Sequence, residues 1–79
     1  MGATARMLRY TVVLEPDAAE GGFTVTVPAL PGCVTEGQTR AEALAHAREA
    51  IEGYLLSLLD DGLPLPSEET ATVEVRVPG

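Results

Sequence analysis

The chain has 79 residues, 46% of them hydrophobic and 22% charged, and no apolar run approaches the roughly 18 residues that a membrane span requires. Twelve acids stand against five arginines and no lysine, a net charge of −7, which argues against a domain that grips a nucleic-acid backbone by itself, because that affinity comes from neutralising phosphates with basic side chains. The single cysteine, Cys33, excludes an intrachain disulfide and a zinc site built from several thiolates. The length implies one small domain with a thin stability margin, for which oligomerisation is a common remedy. The N-terminal residues have neither the layout of a signal peptide nor Ser or Thr where a myristoylation motif needs one, since Arg6 stands there. A cytoplasmic protein is expected, with residues 1–6 a flexible N-terminus.

Leu8 to Leu14, "LRYTVVL", sets Leu8, Tyr10, Val12 and Leu14 on one face against Arg9, Thr11 and Val13 on the other, the period of a half-buried strand. A loop containing Pro16, Asp17, Gly21 and Gly22 follows, and Phe23 to Val27 alternates again, so the two segments form an antiparallel hairpin. Pro28 then ends the second strand because it cannot donate to a ladder. Pro31 and Gly32 suit the central positions of a type II turn, and "CVTEG" from Cys33 to Gly37 is long enough for a short third strand.

Thr39 and Glu42 have the spacing of a capping box and open a helix over about residues 40–60. Leu44, Ala47, Ile51, Tyr54, Leu55, Leu58 and Leu59 fall in one stripe roughly 150° wide, enough to cover a sheet. Asp60 and Asp61 sit at the unfavourable carbonyl end of the helix dipole, and Gly62 stands where a C-terminal cap is expected. After a proline-punctuated return, "ATVEVRV" alternates Val73, Val75 and Val77 with Thr72, Glu74 and Arg76, the pattern of a final strand. The order β-β-β-α-β describes a two-layer α+β domain, one helix packed on an antiparallel-rich sheet whose other face is mostly polar.

Candidate chemistry is sparse. A reactive Cys33 would need a base or cation beside it, but it falls at a strand start while His46 lies two turns into the helix on its outer face. His46 with Glu42 and Glu49 has helical spacing for a shared face, yet a lone histidine with two exposed glutamates is more often a solvated surface cluster, and no metal is expected. Glu36 and Glu74 are the only acids on the expected strands, too few for two-metal nuclease chemistry. No catalytic residue and no cofactor are expected. Ala43, Ala50, Gly53 and Ser57 line up with His46 along one helix flank, where small side chains would admit a close neighbour, although tolerated drift is the simpler account of an outward glycine.

The segment from Tyr10 to Pro66 resembles the HicB antitoxin family. The resemblance rests on Gly21, Gly22 and Phe23, on V-P-A-L-P-G-C from Val27 to Cys33, on Glu36 to Thr39, on the run from Glu42 to Ile51, and on Pro64 and Pro66. It implies a truncated RNase H-like fold without the nuclease acids. It also implies an antitoxin that occludes HicA, a small basic mRNA-cleaving toxin of double-stranded-RNA-binding fold, and the acidity of this chain suits such a partner. Many members continue into a C-terminal helix-turn-helix or ribbon-helix-helix domain. The sequence stops at Gly79, so no DNA contact of its own is expected, and a dimer or tetramer would form through the α/β domain.

On this reading residues 1–79 are a single HicB-like domain that binds neither nucleic acid nor membrane. Glu36, Glu42, His46, Glu49 and Gly53 are the expected partner-binding residues, chosen from charge and from their place near the third strand and the outer helix face. Pro28, Pro31 and Gly32 are structural corner residues. The alternative is an orphan oligomeric scaffold or small-ligand-binding domain with no toxin, and a residual nuclease would require convergent carboxylates that the sequence does not offer.

Overall fold

The computed structural model describes residues 7–69 and 71–79. The flexible stretch expected at 1–6 lies outside the described residues. Three strands, β1 (Val13–Pro16), β2 (Phe23–Thr26) and β3 (Val34–Gly37), precede one helix, α1 (Arg40–Asp60). The strands form an antiparallel sheet in the order β1-β2-β3, with Leu14 opposite Val25 and Val25 opposite Thr35. No helix among the described residues is long and apolar enough to cross a membrane.

The corner between β2 and β3 follows the sequence closely. Cys33 N–H donates to the Leu30 carbonyl at 3.0 Å, closing a turn over Pro31 and Gly32, and Gly32 has φ of 81°. That value at the third turn position is the left-handed requirement of a type II turn, which glycine meets without a Cβ clash. Leu30 is folded inward by this turn and is fully buried beside Val27 and Cys33.

Both helix ends are also set by local chemistry. Thr39 Oγ1 accepts from Glu42 N–H at 3.0 Å, and Glu42 Oε1 accepts from Gln38 N–H at 2.8 Å. The reciprocal bond therefore reaches one residue further upstream than a standard capping box. At the other end Gly62 N–H donates to Leu59 and Leu63 N–H to Leu58, the paired bonds of a Schellman cap.

Two expectations need correction. Only Val13 and Leu14 of the expected first strand pair with β2, and β1 continues to Pro16 instead. The partner strand ends at Thr26, and Val27 N–H donates to the Cys33 carbonyl within the corner, so no strand remains opposite residues 8–12. The expected last strand is absent: residues 71–79 join no sheet, and Val73, Val75 and Val77 are 86%, 78% and 76% exposed. Alternation measures fitness for a pleated surface, whereas a strand also needs a neighbour to take its hydrogen bonds. The observed order is β-β-β-α.

The core is small and divides in two. Val25 packs with Ala43 and Ala47 from the first half of α1, while Val27, Leu30 and Cys33 pack against Ile51, Tyr54 and Leu55 from its second half. Gly37 is the tightest point: a Cβ placed there would lie 2.4 Å from the Ala43 nitrogen and 2.6 Å from its Cα. The absence of a side chain lets α1 settle directly on β3.

Candidate protein-binding surface

Cys33 is 6% exposed, and burial pushes its thiol pKa up, the opposite of what a nucleophile requires. His46 does not face it. Its Nδ1 lies 2.6 Å from the Glu36 carbonyl, and because a carbonyl can only accept, the proton sits on Nδ1. His46 thereby ties α1 to the backbone of β3. Among the described residues no group of three or more His, Cys, Asp or Glu is placed to hold a metal ion.

This tie organises the outer surface. Glu42, His46, Glu49 and Gly53 are exposed on α1 and follow one another at three- and four-residue steps, so they form one stripe. The His46–Glu36 bond places that stripe alongside β3, which is an edge strand. Gly53 faces open space, with no heavy atom within 4 Å of the point where a Cβ would stand. Glu36 is brought near through its backbone, but its side chain belongs to a different face. Val25 turns inward onto α1, so its neighbour Thr24 points outward, and the register puts Glu15 and Glu36 on either side of Thr24. The sheet face away from α1 thus carries an acidic row, which runs into Asp17 and Glu20 around a polar depression of about 110 Å³. Sequence reasoning missed Glu15, Asp17 and Glu20, since only the strand register shows that the hairpin loop and the end of β3 share one rim.

The small-residue flank does not form one exposed face. Ala43 is fully buried and Ala50 half-buried, while His46, Gly53 and Ser57 are exposed. The first of these small residues serves the approach of α1 to β3. Of the expected apolar stripe, Ala47 is buried, most members are half-buried, and Leu59 is 56% exposed.

Comparison with known proteins follows the same residues. The family model for the HicB-like antitoxin of bacterial toxin–antitoxin systems matches residues 10–77. A UPF0150 protein of Thermoplasma acidophilum is 40% identical over 69 residues, which cover 87% of this chain and 99% of that protein. Two proteins named antitoxin HicB are also similar. The one from Photorhabdus laumondii is 41% identical over 61 residues and the one from Escherichia coli 39% identical over 62. The matched segments span 39% and 44% of those two longer proteins.

Proposed function

Because the chain belongs to the HicB-like antitoxin family, we propose that it is a non-catalytic protein-binding module that inhibits a HicA-type mRNA-cleaving toxin by covering its RNA-binding surface. The observation that carries this reading is the placement of exposed acids on both sides of an edge strand. Glu42 and Glu49 stand on the α1 stripe, and Glu15 and Glu36 stand on the outer sheet face. A protein that binds RNA presents basic side chains to phosphate, and an acidic surface competes for those same side chains while steering the encounter. A truncated RNase H-like framework without nuclease acids belongs to this proposal, supported by the β-β-β-α order.

The test is an RNA-cleavage assay with a HicA-type toxin, run with and without this chain, alongside calorimetric titration of the two proteins. Cleavage should stop near equimolar ratio. Glu49→Lys combined with Glu36→Lys should weaken binding by about tenfold at low salt and less at high salt. Glu42→Gln tests the remaining charge, since the amide oxygen keeps the bond to Gln38 N–H. Full cleavage with no measurable heat of binding would sink the proposal, and unchanged affinity in the charge variants would remove these residues from it.

A further inference from the structure

We propose that the sheet face turned away from α1 is the centre of the contact with the toxin. It receives an apolar side chain of a basic protein, with lysine or arginine on either side of that anchor; the inference rests on the inhibitory role just proposed. The register sets two rows across this face. Val13 and Val34 stand on either side of Thr26, and Glu15 and Glu36 on either side of Thr24. The two valines are 41% and 58% exposed. They are two strand spacings apart, roughly 10 Å, with a threonine methyl between them. Thr11 and Pro28, two residues beyond Val13 and Thr26, line a depression of about 320 Å³ together with Ala29, Ser67, Glu68 and Glu69. A strip of apolar surface therefore runs from Pro28 and Ala29 to the valines. Carboxylates close it at both ends: Glu68 and Glu69 at the depression, and Glu15 and Glu36 two strand residues, about 7 Å, past Val13 and Val34.

This is the layout of a docking site, because interfaces concentrate their energy in an apolar centre and keep charge at the rim. The α1 stripe is built differently. There Glu42, Glu49 and Gly53 run in line, and Leu56, 61% exposed, follows only at the far end. That stripe has charge without a centre, and it serves as a margin of the contact. The sign of the rim selects the occupant. Among the described residues no arginine lines the depression at Pro28 or the one at Asp17, whereas Arg9 and Arg48 line the groove between residues 7–12 and α1. A second copy laid face to face would set acids against acids, and a nucleic acid would bring phosphate to them. A basic protein gains at both ends of the strip. One helical turn spans about 5.4 Å and two strand residues about 6.8 Å, so cationic neighbours of the anchor reach the acids from either kind of element.

The test titrates the full chain with a HicA-type toxin in the absence of RNA, following binding by calorimetry and the methyl groups of this chain by NMR. The Val13 and Val34 methyls should shift most and the Leu56 methyls little. Val34→Arg should weaken binding at least about a hundredfold, through a like charge and a lost apolar contact. Leu56→Ala should change it less than about threefold. Glu36→Lys alone should carry most of the loss seen when Glu36 and Glu49 are both reversed. Val34 is exposed on the face away from α1, so Val34→Arg should keep the wild-type circular dichroism. Should it unfold, the methyl shifts of the wild-type chain decide. No binding by the wild-type chain overturns this inference and the inhibitory role together. Wild-type binding with unchanged affinity in folded Val34→Arg, or with methyl shifts confined to α1, overturns this inference alone.

Discussion

The two halves of α1 rest on different amounts of protein. The first half sits on β2 and β3, with Ala43 fully buried and backbone touching backbone at Gly37. The second half covers the Val27–Cys33 corner on one side, but no strand among the described residues lies under it, and Leu56 and Leu59 are 61% and 56% exposed. The same helix thus passes from a closed interface to an unfinished one. The stripe that drives its packing is continuous along the sequence, so the difference comes from what the sheet supplies beneath it. Stability should concentrate where strands lie under the helix.

The largest effect should separate buried leucine from exposed leucine. Leu30 is fully buried in the corner, and Leu30→Ala should cost about 3 kcal/mol, from lost transfer energy and the cavity left behind. That is a large share of the stability of a domain this small. Leu59→Ala should change stability by less than about 0.5 kcal/mol. Urea unfolding followed by circular dichroism measures both, and comparable losses would mean that the second half of α1 is buried by something the protomer does not show.

Much of this arrangement was legible because the decisive signals are local. The Leu30–Cys33 turn needs only a proline and a glycine in order, and the helix caps need only Thr39, Glu42 and Gly62 at fixed offsets. The limits of the strands were not legible. Residues 8–14 and 71–77 alternate as well as Phe23–Val27 does, yet only the last is paired along nearly its whole length, because pairing depends on where other segments end. The candidate surface was legible in part for the same reason. Helical spacing places Glu42, His46, Glu49 and Gly53 together, whereas the outward row of Glu15 and Glu36 depends on strand register. The His46 bond to the Glu36 carbonyl has no sequence signature.

Two glycines sharpen the contrast with a smaller effect and opposite signs. At Gly37 an added methyl meets the Ala43 backbone at 2.4 Å, which cannot swing aside as a side chain can. Gly37→Ala should therefore cost about 2 kcal/mol by lifting the start of α1 off β3. Gly53 lies in the helix interior facing open space. Gly53→Ala should stabilise the fold by about 0.5–1 kcal/mol through a less flexible unfolded chain. Thermal unfolding of both variants should give shifts of opposite sign. If Gly53 also lies at the toxin interface with backbone in close approach, Gly53→Ala will lower toxin affinity while raising the melting temperature. A rise in melting temperature at unchanged affinity removes it from the binding surface.

The smallest effect belongs to the tie between Thr11 and the return that follows α1. The hydroxyl and amide of Thr11 both donate to the Glu68 carboxylate, and the hydroxyl bond leads in holding the Glu68 pKa below its ordinary value of 4.5. A carboxylate with a depressed folded-state pKa adds stability above its unfolded value, and that contribution disappears as pH falls through the folded value. The anchor is therefore complete at neutral pH and is released only in acid below 4.5. Because Glu68 is at the surface, the release should be local, loosening the return near Thr11 while α1 keeps its helicity. The Thr11 amide proton should shift upfield as the bond is lost, with a midpoint below that of an unstructured glutamate. Glu68→Gln should abolish this pH-dependent displacement. A midpoint at or above the ordinary value would show that the bond does not hold in solution, leaving the Tyr10 hydroxyl bond to the Pro66 carbonyl as the tie of the return.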